Sequence, residues 1–180
     1  MLIFACTYSM KYKIPLLFLT GFILIAVVYN SCKKNDDQQT AIPALFTNGY
    51  WQLASLTVTR TDSGTVVTDT LNATCNQKQI FTFNADKTCT YSNFDCLTQT
   101  AKGTWSLSKD QLTLMVPDMV CIDTISATKK GMTNPFVNAQ IYNLGQYSMV
   151  LQTGDYNIIP TSTNKTRVMR YGFVRQKTIN

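Results

Sequence analysis

Between residues 51 and 175 the chain is a succession of short runs of alternating apolar and polar side chains, separated by clusters of Asn, Asp, Lys and Gly. This alternation constrains the fold more than any other feature, because a period of two is the pattern of a strand with one buried face. The clearest case is Gln79–Phe83, which turns at Asn84–Lys87 and returns as Thr88–Tyr91. A second hairpin runs from Thr104–Ser108 through Lys109 and Asp110 to Gln111–Val116. Further strands are expected over Trp51–Thr59, Thr65–Thr70, Val120–Ser126, Val137–Tyr142, Tyr147–Thr153 and Thr166–Arg175. Thr61–Gly64 reads as a turn, and Asn72–Gln77 and Lys129–Pro135 read as loops. Within the first strand Trp51 and Leu53 share one face while Leu56 and Val58 share the other, so a bulge or bend is expected near Ala54 and Ser55.

Composition points the same way. The chain has no glutamate and no histidine, and it is crowded with Thr, Val, Ile, Phe and Tyr. Glutamate favours helices, whereas β-branched and aromatic residues favour strands. The expected fold is therefore all-β, an antiparallel up-and-down meander of about eight to ten strands that closes into a barrel and so removes its exposed edges. Trp51 and Trp105 should face inward, each with an apolar neighbour two residues on, Leu53 and Leu107. The last strand should close the barrel beside the first.

A family resemblance rests on motifs that occur in a fixed order. Gly49-Tyr50-Trp51-Gln52-Leu53 comes first, then Phe81-Thr82-Phe83-Asn84-Ala85-Asp86, then Gly103-Thr104-Trp105-Ser106-Leu107 with Leu112-Thr113-Leu114. Ile141-Tyr142-Asn143-Leu144 with Met149-Val150-Leu151 completes the set. Together they resemble the bacterial lipocalin-like domain found in many secreted lipoproteins, over about residues 46 to 177. The resemblance implies a lipocalin-like barrel and hardly any function. The family usually has Asp-Gly in the first hairpin turn, where this chain has Asp86 and Lys87. A left-handed backbone at Lys87 would cost about 1–2 kcal/mol; a different turn type is the alternative.

The N-terminal segment reads as an address. Met10-Lys11-Tyr12-Lys13 precedes the apolar run Ile14–Val28, and Tyr29-Asn30-Ser31-Cys32 leads into the polar stretch Lys33–Gln39. A positive start and then an apolar core of this length is the layout of an export signal, shorter than the roughly 20 residues of a membrane span. Met1–Ser9 carries no charge, so Met10 is the expected start of translation. The end of the segment resembles a lipobox, with Ser31 fitting and Tyr29 and Asn30 departing from the usual Leu and small residue. Residues 1–31 are thus expected to be a signal peptide, 32–45 a lipidated cysteine and flexible tether, and 46–180 the barrel domain. Acyl chains of the palmitate kind on Cys32 would anchor the protein without spanning the membrane. The expected location is the outer membrane of a Gram-negative cell, on its periplasmic or surface face.

The remaining residues bound the function. With 16 Lys and Arg against 10 Asp, the net charge is +6. The charge lacks the clustered basic patch that nucleic acid binding needs. Lys165, Arg167, Arg170, Arg175 and Lys177 gather near the last strand, where a solvated face explains them. Without histidine the chain lacks the commonest general base and metal ligand, and no cofactor or metal is expected. A hydrolase using paired aspartates, such as Asp69 and Asp95, is the weakest reading, since no spacing selects a pair.

An exported domain with four cysteines besides Cys32 and Cys6 invites disulfides. Cys75 is expected to pair with Cys96, because both flank the hairpin of Phe81 and Tyr91. Cys89 and Cys121 either pair across strands or stay as thiols. Trp51, Phe83, Trp105, Tyr171 and Phe173 are candidates to line a ligand cavity, in a module that would bind a small apolar ligand or a partner. The alternatives are a filled barrel, the ordinary outcome for about eight strands, serving a structural or accessory lipoprotein.

Overall fold

The computed structural model describes residues 34–62, 65–71, 75–126, 129–159, 161 and 163–177. The expected signal segment and Cys32 lie outside the described residues. The chain divides into two units, Met1–Ala41 and Ile42–Asn180. No helix among the described residues is long and apolar enough to cross a membrane.

The elements are α1 (Lys34–Thr47), β1 (Tyr50–Asp62), β2 (Thr65–Leu71), β3 (Ile80–Phe83), β4 (Thr88–Ser92), β5 (Thr100–Thr104), β6 (Ser106–Leu107), β7 (Thr113–Met115), β8 (Cys121–Ser126), β9 (Lys129–Thr133), β10 (Ala139–Leu144), β11 (Ser148–Gly154) and β12 (Thr166–Gln176). A one-turn 3-10 helix at Phe94–Cys96 joins β4 to β5. Ten strands form one antiparallel sheet in the order β5-β4-β3-β1-β12-β11-β10-β7-β6, with β2 paired to β1 off this path. Its two ends, β5 and β6, are successive stretches of one chain segment separated by Trp105 alone. The first stretch pairs with β4 and the second with β7. The sheet is thereby nearly closed into a barrel, and the expected all-β meander is what forms. Counting β5 and β6 as one strand, the ring has eight members apart from β2.

The first and last strands close the ring. β1 and β12 run antiparallel from Tyr50↔Gln176 to Thr61↔Thr166, with a register shift between Leu53 and Ser55. This is the expected bulge at Ala54, and it lets Trp51 with Leu53 and Leu56 with Val58 all serve the same side of the sheet. The first hairpin turn keeps the left-handed backbone at Lys87, with φ 70°. Several bonds offset its cost. Asn84 N–H donates to Thr88 O at 2.9 Å, Trp105 N–H donates to Lys87 O at 2.8 Å, and the Lys87 ammonium sits 3.9 Å from the centre of the Trp105 ring. Asp86 accepts from both the Thr88 hydroxyl and amide, which hold its carboxyl below the usual carboxylate range.

Two segments differ from the sequence reading. The expected tether is helical over Lys34–Thr47, and Phe46 and Ile42 join the core. The end of the helix is capped from the barrel: Trp51 Nε1 donates to Phe46 O at 3.0 Å and the Arg175 guanidinium to Leu45 O. Gly49 then turns the chain with φ 102°, where a side chain would strike Gln176 O. The expected loop Lys129–Pro135 is instead largely strand, with β9 paired to β8 in a separate two-stranded sheet. Its Lys-Lys-Gly start carries no strand signal; the pairing comes from β8.

The Cys75–Cys96 disulfide forms as expected, with Cα atoms 5.2 Å apart. It fastens a turn in which Asn93, Asp95 and Cys96 all have positive φ, a conformation that costs about 1–2 kcal/mol for each residue with a side chain. Gln99 and Asp95 extend the fastening to β8. The Gln99 amide bonds both the carbonyl and the N–H of Ile122, at 2.6 and 2.8 Å, and Asp95 accepts from Thr124 N–H at 2.6 Å. Removing the bridge by Cys75→Ser should cost about 3 kcal/mol, the usual figure for a loop of roughly this length, and should loosen β8 and β9 first. Hydrogen exchange that leaves Ile122 and Thr124 as protected as in the parent would contradict this linkage.

β12 supplies one partner of β1 and one of β11, so its loss opens two edges at once. Deleting residues 166–180 should make the domain aggregate, and Trp105→Ala should lower stability by about 3–5 kcal/mol. Urea denaturation of the variants checks both.

Candidate functional site

The five aromatics expected to line a cavity are all buried, none more than 3% exposed. They do face inward, but against each other and against rings the sequence reading did not single out. Trp105 meets Phe83 at 5.6 Å between ring centres, Phe83 meets Phe81 at 4.1 Å, and Phe81 meets Phe136 at 5.0 Å. Phe136 in turn meets Tyr171 at 5.1 Å, and Tyr171 stacks on Phe173 at 6.5 Å. Phe46 from α1 closes one side, 5.0 Å from Phe83 and 5.7 Å from Trp105. Trp51 lies under the Arg175 guanidinium, 4.5 Å from its ring centre. Phe136 sits in the loop between β9 and β10, where nothing in the local pattern marks it as central. Trp51, Phe83, Trp105, Tyr171 and Phe173 are therefore packed core residues. Of them, Trp105 also borders an open groove of about 320 Å³ between Lys87, Lys109 and Pro43.

Cys89 and Cys121 stay as free thiols, both buried. Burial pushes each thiol up to about 12, with Asp118 adding to the effect at Cys89 and Asp123 at Cys121. Thiols so raised are weak nucleophiles at neutral pH. Asp69 and Asp95 are separately engaged, Asp69 with Arg60 at 2.6 Å and Asp95 with Thr124 N–H. Among the described residues no group of three His, Cys, Asp or Glu converges to hold a metal.

The basic cluster near the last strand is divided among different tasks. Arg175 caps α1, Lys165 pairs with Asp62 at 2.8 Å, and Arg170 stacks over Tyr142 at 4.4 Å. Arg170 also enters a pocket of about 260 Å³ on the outer face of β1, β12 and β11. Residues on this face alternate with the inward Val58, Met169, Tyr171 and Leu151. Register places Thr61 opposite Thr166 and Arg170 opposite Gln152. Gly154, with φ 89°, turns the chain out of β11. The following loop lays Asp155, Tyr156 and Ile158 along the pocket. Asp155 fixes the loop by accepting from Arg167 N–H at 2.9 Å. Thr61, Thr166 and Gln152 are buried at 4%, 6% and 7% exposure, so three of the few buried polar side chains among the described residues line this one pocket. The sequence reading missed Thr61, Thr166, Gln152 and Asp155. Outward threonines on a strand look the same whether water or a loop covers them.

One family matches, described as a lipocalin-like domain, over residues 47–151. The chain belongs to the lipocalin-like domain family. That family is generally a non-enzymatic binding fold, and its barrel is one in which a small ligand can be held. No curated protein matches the chain closely enough to count as a relative. In this lipocalin-like chain the ring-filled interior and the polar outer pocket are on opposite faces of the same strands.

The thiols give a pH test. Their folded pKa is raised from 9.0 to about 12, so their contribution to stability is complete below pH 9 and is lost as pH rises toward about 12. Burial also raises Tyr91 and Tyr171 above their ordinary value, which adds to the loss at the alkaline end. The urea midpoint should hold steady up to about pH 9 and fall beyond it, less so in a Cys89→Ala, Cys121→Ala double variant. A midpoint that stays level to pH 11 would contradict the assignment.

Proposed function

We propose that this lipocalin-like protein is an exported, lipid-anchored binding module that takes a small molecule on the outside of a filled barrel. The observation that supports this most is the division between the two faces of β1, β11 and β12. Inside, aromatic rings fill the space that an apolar ligand would need. Outside, the Thr61 and Thr166 hydroxyls and the Gln152 amide line the pocket beneath the β11–β12 loop. The Gln152 amide is held between Arg170 and Gln140, and a set of polar edges fixed around one pocket favours a binding role there. Such a module acts by holding its ligand, without chemistry of its own.

The anchor in this reading is Cys32, on the ground of the apolar run Ile14–Val28 and the polar stretch after the cysteine. One acyl chain holds a protein only marginally, and two or more hold it stably. The proposed setting is the outer membrane of a Gram-negative cell. A filled barrel serving only as a structural or accessory lipoprotein is the second reading; the same packed interior supports it, and a ligand at the outer pocket would set it aside.

Metabolic labelling with a fatty-acid analogue should mark the wild-type protein and leave Cys32→Ala unmarked. A labelled Cys32→Ala protein would move the anchor elsewhere. Native mass spectrometry of the protein extracted from its own membrane should find no free lipid retained; a fatty acid held non-covalently in the barrel would overturn the outside-binding reading.

A further inference from the structure

Resting on that outer-pocket reading, we infer that the pocket over β1, β12 and β11 takes a neutral hydroxylated ring, a single sugar unit. Thr61 and Thr166 are the central pair. They stand directly opposite each other in register, both are more than nine-tenths buried, and both line the pocket. Among the described residues neither hydroxyl has a hydrogen-bond partner. A threonine hydroxyl both donates and accepts, and the ligand group that matches it in both respects is another hydroxyl.

Charge narrows the class further. The pocket holds one guanidinium, Arg170, and one carboxylate, Asp155, so it offers no net charge to an anion or a cation. Each is also partly engaged already. Arg170 Nε donates to Gln152 Oε1 at 2.6 Å while its guanidinium lies over the Tyr142 ring. Gln152 Nε2 donates in turn to Gln140 Oε1 at 3.1 Å. What remains for a ligand is the outer N–H groups of Arg170 and the spare lone pairs of Asp155 and Gln152. These are hydrogen-bonding edges in fixed positions, suited to ring hydroxyls.

The pocket's shape fits the same class. Val66, Val168 and Ile158 supply apolar walls beside Tyr156, and a sugar ring has C–H faces to set against them. A volume of about 260 Å³ admits one ring and its substituents, with no room for an acyl chain. The Lys165–Asp62 ion pair joins the loop's far end to the β1–β2 hairpin, so both walls of the pocket are tied together.

The test uses the full chain in detergent and saturation-transfer NMR with glucose, galactose, mannose and N-acetylglucosamine, each at millimolar concentration. At least one sugar should receive saturation from the protein. Thr61→Val and Thr166→Val should each weaken its binding by about tenfold, the worth of one hydrogen bond. Because each variant keeps the side chain's volume and removes no hydrogen bond among the described residues, thermal stability should hold. Loss of binding together with loss of stability would point to a structural role and overturn the inference. Glycine and glutamine serve as zwitterionic probes at the same concentration. If either one binds and is displaced by Thr166→Val while the sugars do not bind, the outer pocket stands and the sugar assignment falls. If no probe binds, both fall.

Discussion

The pairing of β1 with β12 is the constraint on which the rest depends. The two strands come from opposite ends of the domain and meet over their full length, from Tyr50↔Gln176 to Thr61↔Thr166. Closing so long a loop costs entropy before any contact repays it. The repayment comes from both faces of the seam. On the inner face Trp51, Leu53 and Leu56 line up with Phe173, Tyr171 and Met169 and pack with the aromatic core, with Val58 buried opposite Met169. On the outer face the same register sets Thr61 against Thr166 and brings Arg170 beside Gln152. The bulge at Ala54 makes both possible, since a strict alternation through β1 would turn Leu56 and Val58 outward.

A ring of eight strands is narrow enough for side chains to fill, and this one uses its rings to do so. Phe81 and Phe136 lie at the centre of the contacts, with Trp105 and Tyr171 at either end of the series. Phe136 and Phe46 come from outside the barrel strands and enter from a loop and from α1. Their entry turns what would be the mouth of a container into packed core. The other face of the strands carries polar side chains, and the loop after Gly154 gives that face its pocket.

The two kinds of cysteine follow from the same geometry. Cys75 and Cys96 sit where the β3–β4 hairpin brings its outer ends together, so proximity is built in locally. Cys89 and Cys121 belong to β4 and to the separate β8–β9 sheet, and both are buried in the core. Burial shields both thiols from solvent.

Local chemistry was enough to determine a large part of this protein. Alternation placed most of the strands, the phase change in β1 placed its bulge, and the hairpin geometry paired Cys75 with Cys96. The inward facing of Trp51 and Trp105 followed from the same period of two, and the motif order pointed to the lipocalin-like family. Tertiary structure alone decided the rest. It made a strand of Lys129–Thr133, because β8 supplies hydrogen bonds that its own residues do not announce. It made a helix of Lys34–Thr47, whose last carbonyls are taken by Trp51 from the strand that follows and by Arg175 from the last strand. It filled the barrel, because an inward aromatic reads the same in a sequence whether it faces a ligand or another ring. It also set Thr61, Thr166, Gln152 and Arg170 around one pocket, since a register between first and last strands is a long-range fact that no short run of residues contains.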